Sequence, residues 1–156
     1  MQDDPVTRFA FEDFSAGQHI DMGTVVVDRD EMLEFNRRFD PQPFHVDEVA
    51  ARESLLGGLC ASGWYTCSLF MRAYVDTVLA DSTSQGSPGG RELRWLAPVF
   101  PGDELHFATD ILATRVSSSR PGLGLVEITG TASRAGSPVL TLTFTGFFGT
   151  RSPSSR

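Results

Sequence analysis

Between Gln18 and Val27 apolar and polar residues alternate before closing on Val25-Val26-Val27, and a period of two predicts a strand. The period then changes. Asp28 followed by Glu31 has the form of a capping box, opening a helix through Met32, Leu33 and Phe35. That helix must stop before Asp40, because Pro41 follows. Asp47 is placed as the N-cap of a short helix, Glu48 to Glu53. After Gly57-Gly58, Ser62-Gly63 stands at the mouth of a long helix ending near Ala80. Its Trp64, Tyr65, Leu69, Phe70, Tyr74, Val75, Val78 and Leu79 leave little polar face, which predicts burial on nearly all sides.

Asp81 to Gly90 reads as a flexible loop. Arg91 to Phe100 then predicts a strand ended by the turn Pro101-Gly102-Asp103. Glu104 to Ser117, Leu125 to Arg134 and Val139 to Thr150 are rich in Thr, Val, Leu and Phe and predict three more. Their order implies an antiparallel meander. Ser152 to Arg156 reads as a polar, disordered tail. A helix that apolar needs a sheet around it. The expected fold is therefore α+β, a single hotdog domain over residues 1–156, with a curved antiparallel sheet wrapped around a long central helix.

Composition narrows the chemistry. At 156 residues, with 40% hydrophobic and 21% charged residues, the chain can bury a sound core without staples. The stretch Trp64 to Ala80 is interrupted by Arg72 and Asp76, so it reads as a buried helix and no membrane is expected as a partner. Met1 to Arg8 is polar and acidic, unlike a secretory leader. Cys60 and Cys67 suit neither a disulfide framework nor a zinc site, and a cytoplasmic setting is expected. The net charge of −7 argues against nucleic acid. All 13 basic residues are Arg, which excludes Schiff-base chemistry and a P-loop lysine while leaving forked grips on phosphate available.

The stretch Asp40-Pro41-Gln42-Pro43-Phe44-His45 carries the candidate chemistry. Two prolines exclude a helix there, so a carboxylate and an imidazole five residues apart are expected on a rigid, non-repetitive turn. These are the side chains best suited to taking and returning a proton near neutral pH. Spacing alone favours the plainer reading of a surface loop with a capping Asp and an incidental His. His45 with Asp47 makes only two ligands, so no metal is expected. Cys67 reads as core, and His19 and His106 as structural or solvent-facing residues on strands.

Asp40-Pro41-Gln42-Pro43-Phe44-His45-Val46-Asp47 resembles the motif of the MaoC-like hydratases and dehydratases, the (R)-specific enoyl-CoA hydratase family. That motif runs Asp, any residue, Asn, Pro, an apolar residue, His, any residue, then Asp or Glu. Pro43 matches, while Gln42 stands where Asn is usual. Ser62-Gly63-Trp64-Tyr65-Thr66-Cys67-Ser68 resembles the family's helix start, with Ser62 in place of a common His and with Gly63 and Ser68 matching. Leu93 to Asp103 resembles its strand and Pro-Gly-Asp turn. Three motifs in order are more specific than any one.

The resemblance implies reversible syn addition of water across a trans-2-enoyl thioester of coenzyme A, which enters as part of the substrate, no separate cofactor being expected. Asp40 as principal base and His45 as its orienting partner and proton shuttle would hold one water. A backbone N–H near Gly63, beside Ser62, would hold the thioester oxygen, although Gly63 reads equally well as a plain helix-entry residue. Ser68 would contact the Asp/His pair, but its place in the helix favours a hydroxyl bonded back to the preceding turn. Arg94, Arg115 and Arg120 are candidates for the phosphates. A homodimer or higher homo-oligomer with continuous sheets is implied. The rival readings are a hotdog acyl-CoA thioesterase and a non-catalytic acyl-CoA-binding subunit.

Overall fold

The computed structural model describes residues 7–151, so the predicted tail at 152–156 and most of the N-terminal stretch lie outside the described residues. Alternation in the strand segments builds one antiparallel sheet of five strands: β1 (His19–Val26), β2 (Gly89–Trp95), β3 (Glu104–Val116), β4 (Leu123–Arg134) and β5 (Ser137–Gly149). In β4 the buried Gly124, Val126, Ile128, Gly130 and Ala132 alternate with half-buried neighbours, so one face points inward. The strand order is β1-β3-β4-β5-β2. The meander is thus confined to β3, β4 and β5. β2, expected to lead it, instead lies beyond β5 at the far edge. The helix between β1 and β2 carries the chain across the sheet, which places the two strands on opposite edges.

Four helices fill the connection: α1 (Arg29–Phe39), α2 (Pro43–Val46), α3 (Glu48–Glu53) and α4 (Gly63–Tyr74). Asp28 caps α1 as expected, accepting from the Glu31 N–H at 2.8 Å. The reciprocal half of the capping box does not form, because the Glu31 carboxylate instead accepts from the Tyr65 hydroxyl at 2.6 Å and ties α1 to α4. Asp47 caps α3 through the Ala50 N–H at 2.8 Å. After Tyr74 the predicted helix widens into one π turn, Val75–Leu79, in which the Ala80 N–H reaches back to the Val75 carbonyl.

α4 lies within the curve of the sheet. Phe70 is its anchor, fully buried and set edge-on to Phe107 and Phe144. It rests on Gly130 of β4, where a Cβ would collide with the ring. Tyr65, Thr66, Ala73, Tyr74 and Val78 bury the same side. The expectation of burial all round is corrected on the other side. Trp64, Ser68, Met71 and Arg72 are exposed, and the apolar pair Trp64 and Met71 forms a stripe beside edge strand β2.

The predicted flexible loop after the helix is instead pinned. Thr83 and Gly149 exchange backbone and side-chain hydrogen bonds, and Gln85 and Gly86 pair with Phe147. Strand β2 also stops at Trp95, short of the predicted Phe100. Pro98 and Pro101 interrupt the ladder, and the segment bends toward the N-terminal end of α4, where the Ala61 N–H bonds the Val99 carbonyl at 2.8 Å. The Pro101-Gly102-Asp103 turn, with Gly102 at φ 86°, is held by Arg134, which bonds both Asp103 and the Pro98 carbonyl at 2.9 Å.

The packing of Phe70 on Gly130 sets a coupled test. Phe70→Ala is expected to cost about 3–5 kcal/mol in urea unfolding. Gly130→Ala alone destabilises by overpacking. Added to Phe70→Ala it costs less, so the double-mutant cycle shows a coupling of stabilising sign.

Candidate active site

The Asp40 and His45 side chains are brought together by the end of one helix and the start of the next. Asp40 is the C-cap of α1, its N–H bonded to the Asn36 carbonyl at 2.9 Å. Gln42, before a proline, is extended (φ −69°, ψ 145°) and serves as the N-cap of α2. Pro43 occupies N1, where a missing N–H costs nothing. The expected non-helical turn is therefore corrected: its second half is a single helical turn. That turn swings His45 back until its Nε2 lies 3.4 Å from Asp40 Oδ2.

Two further donors hold the carboxylate. The Ser62 hydroxyl donates to Oδ2 at 2.7 Å and the Gln42 amide donates to Oδ1 at 2.7 Å. The longer Gln42 side chain thus reaches Asp40 directly. Burial pushes the Asp40 pKa up, but the bonds from Ser62 and Gln42 and the nearness of His45 outweigh it and hold the group below the ordinary carboxylate range. Asp40 is therefore an ion across the neutral range.

His45 is buried, with Nδ1 at 3.0 Å from the Cys60 carbonyl oxygen and 3.7 Å from the Cys60 Sγ. Burial, and then the charge of Asp40, push the Cys60 thiol up to about 11, so it stays protonated at neutral pH. Asp47 faces its own helix as a cap and adds nothing to His45.

Ser62 is fully buried at the N-cap of α4, where its hydroxyl also accepts from the Trp64 N–H at 3.3 Å. Gly63 follows at N1, and its N–H has no acceptor among the described residues. The Trp95 indole lies against Gly63 so closely that a Cβ would meet its ring, and it stands edge-on to Trp64 with centroids 5.1 Å apart. A glycine is required here by this approach and not by backbone conformation. Asp40, Gln42, His45 and Gly63 line one cavity of about 770 Å³, walled by Phe44, Leu56, Trp64, Trp95 and Val99.

Ser68 lies elsewhere. Its hydroxyl bonds back to the Trp64 carbonyl at 2.8 Å, and the residue lines a separate cavity of about 560 Å³ between α4 and β5. Cys67 lines that second cavity too, half-buried, with burial pushing its thiol pKa up. The candidate arginines are dispersed. Arg94 is loosely paired with Glu92 on β2, while Arg115 lines a groove beside Gly89 and Gly90, at the far end of β2 from Trp95. Arg120 sits in the turn after β3, its N–H bonded to Ser117. His19 and His106 are not buried and bond Asp110 and Asp21, each at 2.7 Å.

Two residues that the sequence reading passed over belong to this site. Asn36 is fully buried and bonds the Cys60 and His45 carbonyls and the Ser62 N–H. Its position was the signal: with Met32 and Leu33 it lies on the buried stripe of α1, where a polar residue needs partners. Cys60 contributes its carbonyl to His45, which no side-chain pattern announces.

Comparison with known proteins places this geometry. Residues 13–128 match the family described as MaoC like domain. A MaoC-like dehydratase from Rhodospirillum rubrum is 37% identical, with a TM-score of 0.82 over 92% of this chain and 99% of that one. A Mycobacterium tuberculosis protein described as having a double hotdog fold is 20% identical, with a TM-score of 0.79 over 98% of this chain and 47% of that one. An (R)-hydratase from A. caviae is 20% identical, with a TM-score of 0.66 over 86% of this chain and 97% of that one. The sheet around α4 is thus the hotdog arrangement.

Ser62→Ala removes one of the bonds that hold Asp40 ionised, so the Asp40 pKa should rise toward the ordinary range in a carboxyl ¹³C titration. The native pKa is depressed, so its stabilising contribution is present above the unfolded value and lost as pH falls through the folded one. The variant should therefore unfold at higher pH than the wild type on acidification, in addition to losing an N-cap worth about 1 kcal/mol.

Proposed function

The chain belongs to the MaoC-like domain family, and from that premise we propose that it reversibly hydrates a trans-2-enoyl thioester of coenzyme A to the 3-hydroxyacyl thioester. The observation carrying this reading is the convergence of Asp40 and His45 on the cavity that Gly63 also lines. The (R)-hydratase and the MaoC-like dehydratase among the structural neighbours support it.

The ring nitrogen facing the Cys60 carbonyl must carry hydrogen, because a carbonyl oxygen only accepts. The Nε2 of a neutral His45 then presents a lone pair toward Asp40 and the cavity. A substrate water on the cavity side of the pair would donate to both acceptors. Both oxygens of Asp40 already accept hydrogen bonds and its pKa is depressed, which makes it a weak base. The division of labour implied by the resemblance is accordingly reversed in this proposal. His45 Nε2 takes the proton as the water oxygen attacks the β-carbon, and Asp40 stabilises the imidazolium. The π electrons move toward the thioester oxygen, where the Gly63 N–H at the positive end of α4 would receive the enolate. The imidazolium then returns its proton to the α-carbon from the same face, giving syn addition.

A second copy of the chain is the expected partner. The outer edge of β2 is unpaired among the described residues, and the exposed Trp64 and Met71 stripe lies beside it. Joining two such edges makes the sheets continuous and covers the stripe.

His45→Gln should lower turnover of an enoyl-CoA by about 10²-fold or more. Asp40→Asn should also be impaired but retain more activity, with thermal unfolding of both close to wild type. The assay follows loss of the conjugated enoyl absorbance. Release of free thiol would instead identify a thioesterase, and no turnover across straight, branched and dicarboxylic acyl chains would leave a binding protein. Sedimentation should give about twice the 17.0 kDa chain mass.

A further inference from the structure

Asn36 makes three hydrogen bonds from a fully buried position, and all three end on the frame of the Asp40/His45 pair. Its Nδ2 donates to the His45 carbonyl at 2.9 Å and to the Cys60 carbonyl at 3.2 Å, and its Oδ1 accepts from the Ser62 N–H at 3.0 Å. The Cys60 carbonyl is also the acceptor for His45 Nδ1, at 3.0 Å. Ser62 is the residue whose hydroxyl grips Asp40. One amide thus ties the acceptor that orients the imidazole, the turn that carries it and the residue that orients the carboxylate.

A carbonyl selects a tautomer only if it stays in the plane and range of the ring nitrogen. The Cys60 carbonyl belongs to the connection between α3 and α4, outside any helix or strand ladder. Its side-chain partner besides His45 is Asn36. We propose that Asn36 is a positioning residue that fixes His45 in the Nδ1–H tautomer through the Cys60 carbonyl, and aligns Asp40 through Ser62. The proposal rests on the hydration reading for its kinetic consequence but not for its structural one. Helix propensity offers no other reason for the residue, since Asn is a poor helix former mid-helix.

The test reads the His45 ring nitrogens by ¹⁵N NMR at alkaline pH, in wild type and in two variants. Asn36→Leu removes all three bonds at similar volume. Asn36→Asp keeps an acceptor for the Ser62 N–H and loses both donors. Wild-type His45 should be wholly Nδ1–H. Both variants should show mixed tautomers, with kcat lower by about 10- to 100-fold, as for other lost outer-sphere partners, and KM within about twofold. A merely structural role would lower melting temperature without moving the tautomer. Wild-type His45 populating the Nε2–H form, or a folded variant keeping only Nδ1–H, would overturn the proposal. If Asn36→Leu does not fold, the wild-type and Asn36→Asp spectra decide alone. Wild type that turns over no enoyl thioester would sink the hydration reading, while the tautomer measurements still decide this one.

Discussion

Burial of one side of α4 inside the curve of the sheet is the constraint on which the rest of the structure depends. Phe70 enters only because β4 offers a glycine beneath its ring, and that contact fixes both the depth and the rotation of the helix. Once the rotation is fixed, Tyr65 must meet Glu31, which draws α1 against α4. The N-terminal end of α4 then points at the place where α1 ends and α2 begins. The polar site is assembled at that meeting point and nowhere along the packed length of the helix.

What gathers there is economical in atoms. Ser62 caps the helix and grips the carboxylate with the same hydroxyl, so helix formation and the ionisation of Asp40 are linked. Gly63 admits Trp95, which closes one wall of the cavity and stands against Trp64. The replacements at Ser62 and Gln42, where the family motif usually carries His and Asn, converge on the same carboxylate. Both side chains donate to it and hold it ionised, and under the proposed hydration that leaves proton transfer to the imidazole.

Much of this was legible in the chain because it is local. Period-two and helical spacing locate every strand and the long helix, and Asp28 and Asp47 announce their helices by capping. The Asp40/His45 pair is visible through its prolines, although Pro43 starts a helical turn where two prolines argue against helix. What failed was non-local. The place of β2 depends on which sheet edge is free after the crossover, and the Asp81 to Gly90 segment gains its order from Phe147 and Gly149, sixty residues on. Glu31 left its capping box for a tyrosine on another helix. Ser68 matches the family motif, but its hydroxyl bonds the preceding turn of its own helix, the local reading that a serine one turn into a helix favours.

The acceptor that faces His45 is a main-chain oxygen, and this gives position 60 an unusual genetic standing. No amino-acid replacement can delete that atom, so the codon for Cys60 can drift among small residues while the imidazole keeps its partner. A dependence that in a side-chain acceptor would sit on one conserved position is displaced onto whatever holds the peptide plane. In this chain sequence variation would therefore be tolerated where the contact is made and resisted 24 residues earlier, within α1.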